Sequence, residues 1–252
     1  MTTTTQGPVS PRKPALARPT AMRLAATEYQ RVADLFRSLN PEDWTKPTDC
    51  PAWDVRAMAS HVLGMAEMAA SIREQSRQMR TAEKRGGVFI DALTALQVDD
   101  HAHMTPEQIM LRFAQVAPKA ARGRRWAPGL IRRRTMPQPQ SVAGRLETWT
   151  IGYLVDVILT RDPWMHRIDI TLATGAPYIV TAEHDGVIVN DLVQEWAQRH
   201  GQPFTLRLAG PAGGSWTVGV GGPQLQLDVA GFCRAISGRQ PVDGLLATEV
   251  PF

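Results

Sequence analysis

The chain has 252 residues, 43% of them hydrophobic and 21% charged, which suits one large or two modest globular domains that need no metal or disulfide staple to form a core. A net charge of +4 is too small an excess by itself to argue for nucleic acid. With only Cys50 and Cys233 there is no disulfide framework, so a reducing cytoplasm is the simplest compartment; no run of about 18 apolar residues is present, and no membrane partner is expected.

The Thr/Pro-rich opening MTTTTQGPVSPRKPALARPT lacks the apolar segment of a signal peptide and reads as a disordered tail over residues 1–20. A helical bundle is expected over residues 21–175. Its first helix carries Leu24, Tyr29, Val32, Leu35 and Phe36 on one face and closes at Asn40-Pro41. After the loop PTDCPAW, which includes Cys50, Asp54 is the candidate N-cap of a second helix. The stripe Val55, Met58, Val62 and Met65 carries that helix on to about Arg80.

The stretch DDHAHM, with His101 and His103 two apart, reads as a solvated linker. A third helix starts at HMTPEQIMLRF, where Thr105 is the N-cap, Pro106 sits in the first turn and Gln108 completes a capping-box spacing. It fades into RGRRWAPGLIRRR and a Pro/Gln-rich loop. The fourth segment, GRLETWTIGYLVDVILTRDPWMHRIDITLATG, is apolar nearly all round as far as Arg161, the pattern of a buried helix. Pro163 removes a backbone donor there and should kink the helix near Leu159.

Composition changes after Gly175-Ala176-Pro177, and residues 176–252 read as a small α+β domain. A helix from about His184 to His200 stops at Gly201. Three alternating runs follow, FTLRLAG, SWTVGV and LQLDVA, joined by turns at Pro211 to Gly214 and at Gly221-Gly222-Pro223. They predict a three-stranded antiparallel sheet, followed by a short helix, GFCRAIS. The fold class is mainly α, and α+β overall.

The chemistry gathers in TRDPWMHRID. Asp162 and His166 are four apart, so a continuous helix puts them one turn apart on one face, with Asp169 a turn below. The second helix offers His61 on its inward face, among Met58, Val62 and Met65. Two imidazoles and one carboxylate leave a coordination position open, as catalytic zinc sites do; residue types alone also admit iron or nickel. Each residue has a plainer role as well. His61 is then a satisfied core histidine, Asp162 an N-cap before a first-turn proline, and Asp169 a partner for Arg167 or a helix-end cap.

At these residues the chain resembles a known family. TDCPAWDVRAMASHVLG is similar to the Cys-Pro-x-Trp-x-Val-Arg…His signature of the mycothiol-dependent maleylpyruvate isomerases, which belong to the DinB-like metal-binding bundles. TRDPWMHRIDI resembles the second signature, an acidic residue four before a histidine. The C-terminal part, through CRAISGRQP, is similar to that family's sterol-carrier-like domain with its Gly-Arg ending. The resemblance runs from about Leu24 to the C-terminus.

It implies a DinB-like four-helix bundle before the small α+β domain, with metal ligands His61, Asp162 and His166. It also implies mycothiol as thiol cosubstrate and a catalytic, substrate-binding arginine at Arg239, with Arg234 as the second candidate. The characterised type has glutamate where this chain has Asp162, whose shorter arm draws the carboxylate back. The implied function is a metal- and thiol-dependent isomerase or S-transferase of a small electrophile, as a monomer or homodimer. A non-enzymatic metal-binding scaffold or regulator is the alternative. The six arginines of Arg122 to Arg134 around Trp126 match phosphate-gripping patches, but Gly123, Pro128 and Gly129 break any regular stripe, which ranks nucleic-acid binding below both.

Overall fold

The computed structural model describes residues 10–252. The tail expected over residues 1–20 therefore lies outside the described residues as far as residue 9. Beyond it the chain is held in place: Arg12 pairs its backbone with Thr148 and Thr150 at 2.9 Å and its side chain with Glu147.

The elements are α1 (Arg18–Ser38), α2 (Val55–Ala70), α3 (Ile72–Arg85), α4 (Phe89–His101), α5 (Pro106–Trp126) and a single turn, α6 (Gly129–Arg132). A small hairpin, β1 (Gln140–Val142) and β2 (Arg145–Glu147), leads to α7 (Ile151–Tyr153), a π-helical turn (Leu154–Ile158) and α8 (Leu159–Thr174). The C-terminal part holds α9 (Val187–His200), β3 (Phe204–Ala209), β4 (Gly214–Val218), β5 (Gln224–Asp228) and α10 (Val229–Ile236). Helices α1, α2, α5 and α8 pack on one another, while α3 and α4 lie against α2.

The predicted caps form. The Asp54 carboxylate accepts from the Ala57 amide at 2.7 Å, and Thr105 and Gln108 close a reciprocal capping box. The second helix nevertheless stops at Ala70 and does not run on to Arg80. Ser71 takes an extended conformation and its hydroxyl caps α3, accepting from the Glu74 amide. The break turns α3 back to pack on α2.

The stretch read as a solvated linker is the end of α4. His103 is exposed, but His101 is only 6% exposed, with Nδ1 on the Gln97 carbonyl at 2.7 Å and Nε2 on Glu67 at 3.1 Å. Both nitrogens face acceptors, so the ring is an imidazolium. Burial opposes that charge, but Glu67 and the Gln97 carbonyl outweigh it and raise His101 above its ordinary 6.5; burial likewise raises Glu67, but His101 and Arg112 hold it below its ordinary 4.5. Stability from the raised His101 is complete below pH 6.5 and lost as pH rises through the folded value. Stability from the lowered Glu67 is present above 4.5 and lost as pH falls. We expect His101→Gln to lower the unfolding free energy by about 1–3 kcal/mol between those two values, and by less above the raised one. Urea titrations at a series of pH values measure this; a difference independent of pH contradicts the pairing.

In α8, Pro163 cannot donate to the carbonyl of Leu159. Buried Arg124 supplies the missing donor, with Nη1 on that carbonyl at 2.8 Å, Nε on Val155 O at 2.9 Å and Nη2 on Thr160 at 2.5 Å. A π-helical turn over Leu154–Ile158 runs directly into α8 at Leu159.

The sheet is mixed, which corrects the antiparallel expectation. Its order is β4-β3-β5, with β4 antiparallel and β5 parallel to the central β3. Gly221-Gly222-Pro223 is not a hairpin turn. That segment crosses the N-terminal end of β3 so closely that a Cβ on Gly222 would collide with the Pro203 carbonyl, and Gly219 stands at φ +66 against Pro203. The sheet and α9 share one core with the bundle: Leu24, Trp164, Met165 and Ile168 pack with Leu192, Trp196, Phe204 and Phe232. Gly175 and Gly201 end α8 and α9 in the left-handed conformation.

Candidate metal centre

Helices α2 and α8 bring His61, Asp162 and His166 together, with one ligand atom of each within 4.8 Å of the others. His61 Nε2 lies 3.2 Å and His166 Nε2 3.5 Å from the same oxygen, Asp162 Oδ1. Asp162 stands inside α8 rather than at its N-cap, which is Ile158, so the capping role does not apply.

The far side of each imidazole is fixed. The amide of Gln78 donates to the Gly64 carbonyl at 3.1 Å, which turns its oxygen toward Gln97; Gln97 donates to that oxygen at 2.9 Å, which turns its own oxygen toward His61 Nδ1 at 2.8 Å. His61 therefore carries its proton on Nδ1. Gly64 makes room for this relay, because a Cβ there would sit 2.6 Å from Gln97 Cγ. On the other helix, His166 Nδ1 meets Asp169 Oδ2 at 3.1 Å, and Arg239 clasps both oxygens of Asp169 at 2.8 and 2.7 Å. Asp169 does not pair with Arg167, which binds Glu28 and Asp185 instead.

With both Nδ1 atoms donating, both Nε2 atoms turn toward one carboxylate. Asp162 Oδ2 is buried with no hydrogen-bond partner among the described residues. Such an arrangement is favourable only with a proton or a metal cation between the groups, and the donor set suits zinc or a related divalent ion. Burial opposes charge on both residues, but their mutual contacts prevail. Asp162 is held well below the carboxylate range by His61 and His166, and His166 is pushed up to about 9 by Asp162 and Asp169. Trp53 covers the site, its ring centroid 5.0 Å from that of His61 and 5.9 Å from that of His166.

The expected candidate ligands His61, Asp162 and His166 are brought together, and Asp169 and Arg239 lie beside them, joined by a contact that the sequence did not indicate. Arg234 is elsewhere occupied, paired with Asp49 of the loop before α2. Gln97, Gln78 and Trp53 had no assigned role. Trp53 stood in a quoted motif, whereas the glutamines sit on helices whose separation the apolar stripe did not show. Cys50, His166 and Asp169 form a second candidate ligand group, but Arg239 already occupies both oxygens of that carboxylate.

Removing the acceptor on His61 frees its tautomer. We expect Gln97→Leu to weaken zinc binding roughly 10–100-fold, with helical content retained. Competition against a chromophoric chelator measures it; unchanged affinity denies Gln97 an orienting role.

A model of the mycothiol maleylpyruvate isomerase N-terminal domain matches residues 25–171. Two solved structures are similar across nearly the whole chain: crystal structures of the mycothiol-dependent maleylpyruvate isomerase and of a histidine-to-alanine mutant of it. Each has 15% identity, covers 89% of this chain and 90% of the other, and gives a TM-score of 0.57. No curated protein matches. At that identity the structures show the shared fold, and the family match spans more than half of the sequence. The chain belongs to the mycothiol maleylpyruvate isomerase N-terminal domain family.

Proposed function

We propose that the protein is a divalent-metal enzyme, zinc the first candidate, that uses a low-molecular-weight thiol of the mycothiol type to isomerise, or transfer sulfur to, a small electrophile. The observation that carries this is the convergence of His61 and His166 Nε2 on Asp162 beside the unpartnered Asp162 Oδ2. These three residues would hold the metal, which when bound lowers the pKa of a coordinated thiol and makes thiolate available near neutral pH.

The rest of the site is the chain's own work. Gln97 and Asp169 hold the imidazoles in one tautomer, so no reorientation is needed before ligation. Trp53 lowers the local dielectric and limits water. Arg239 spends Nε and Nη2 on Asp169, leaving Nη1 without a partner among the described residues and free for a substrate carboxylate. Asp169 thereby couples the arginine that would position substrate to the histidine that would bind metal. Both cysteines are poor nucleophiles: burial raises the Cys50 thiol, and burial raises Cys233 further.

The test is to load the protein with zinc and supply mycothiol with a cis-configured unsaturated keto diacid such as maleylpyruvate. A generic thiol-reactive electrophile is assayed in parallel. Thiol-dependent conversion of either supports the reading and separates isomerase from transferase. A fully loaded protein with no thiol-dependent turnover of any of them refutes it.

A further inference from the structure

The arginine-rich segment is not absorbed by the metal centre. From Gln108 to Leu146 the sequence has nine Lys and Arg and no Asp or Glu. The fold divides these cations. Arg124 is buried on the carbonyls around Pro163, and Arg132 pairs with buried Asp156. Arg122, Arg125, Arg133 and Arg134 are exposed and have no side-chain partner among the described residues. Beside them a groove of about 630 Å³ opens between α1 and α5, walled by Arg18, Arg23, Arg122 and Arg125 over Met22 and Ala26, with no carboxylate in its lining.

Apolar groups stand among these charges. Trp126 is 78% exposed, Leu130 71% and Ile131 37%. Single exposed apolar side chains are ordinary, but three within six residues, flanked by the free Arg122 and Arg125 on one side and Arg133 and Arg134 on the other, form a patch. We propose that the end of α5, α6 and the adjoining groove dock onto an anionic lipid bilayer. The arginines meet lipid phosphates while Trp126, Leu130 and Ile131 enter the headgroup boundary.

The aliphatic pair decides against nucleic acid. Arginine and tryptophan serve either surface, but Leu130 and Ile131 gain little from phosphates or stacked bases and are removed from water by a bilayer. A second copy of the chain is a poor occupant too, because its four free arginines would face these four. No helix of the described residues is long and apolar enough to cross a membrane. Surface docking needs none, which is where this inference departs from the expected absence of a membrane partner.

The test is co-sedimentation of the full chain with vesicles of equal phosphatidylglycerol and phosphatidylcholine, beside pure phosphatidylcholine vesicles and generic duplex DNA. Binding is expected to the anionic vesicles alone and to weaken as salt rises. Arg122→Ser and Arg125→Ser should each weaken it about fivefold, and the pair Trp126→Ser, Leu130→Ser more than tenfold, with thermal melting unchanged because all four sites are exposed. Three outcomes overturn the proposal. One is no binding to anionic vesicles at low salt. Another is DNA binding that falls with the arginines but ignores the apolar pair. The third is self-association in light scattering that the apolar pair abolishes.

Discussion

Replacing His166 with alanine is expected to empty the metal centre while leaving the helices in place. Zinc measured by mass spectrometry should fall from about one per chain to a trace, and His61→Ala should do the same from the other helix. The loss in affinity should exceed the roughly 10–100-fold that removing an outer hydrogen-bond partner produces, since a direct ligand is gone. Circular dichroism should change little, because His61, Asp162 and His166 line one side of helices whose other faces are packed in two separate cores. A second readout follows from charge. In the metal-free protein His166 is held at about 9, so at neutral pH its ring carries a proton that a metal must displace. Zinc uptake should release about one proton per ion, and affinity should climb with pH until the group has titrated. Calorimetry in buffers of different ionisation enthalpy reads the proton count. Full zinc occupancy in both variants would show that the two helices do not share an ion.

The candidate ligands were legible because the helical period does the work locally. Asp162 and His166 are one turn apart whatever surrounds them, and His61 falls on an apolar stripe that must face inward. What lay behind the ligands was not legible. Gln97 reaches His61 only because α4 folds back on α2, and that return depends on the break at Ser71, which apolar spacing alone ran straight through. The sequence did carry a signal there: Ser71 precedes Glu74 by three residues, a capping spacing inside an otherwise continuous helical pattern. Likewise, alternation identified all three strands of the sheet but not their neighbours. Strand order depends on where the chain passes Pro203, which Gly219 and Gly222 allow and do not announce. The arginine run misled in a third way. Arg124 and Arg132 look like their exposed neighbours in sequence and differ only in what Pro163 and Asp156 require of them.

Arg167→Met is expected to destabilise the fold by about 3–5 kcal/mol, because it removes the cation that two buried carboxylates share rather than a contact from the surface. Arg167 lies 2.7 Å from Glu28 of α1 and 2.7 Å from Asp185 ahead of α9, so one guanidinium ties three parts of the chain together. Methionine keeps much of the apolar stem but leaves Glu28 with His184 and Asp185 with Arg31 and the Trp164 ring N–H. In a chain of this length the change corresponds to a fall in melting temperature of roughly 10 °C. Arg37→Met, which removes a half-exposed pair with Asp34, should shift stability by less than about 0.5 kcal/mol under the same conditions. The decisive comparison is the double variant Arg167→Met, Glu28→Gln. If the damage comes from uncompensated charge, neutralising Glu28 returns part of it, and the double variant is more stable than Arg167→Met alone. If the damage comes from lost packing, the second change adds to the first. Urea unfolding of wild type, Arg167→Met, Glu28→Gln and the double variant distinguishes the two, and an additive result would mean that α8 is held by its apolar contacts rather than by its buried ion pairs.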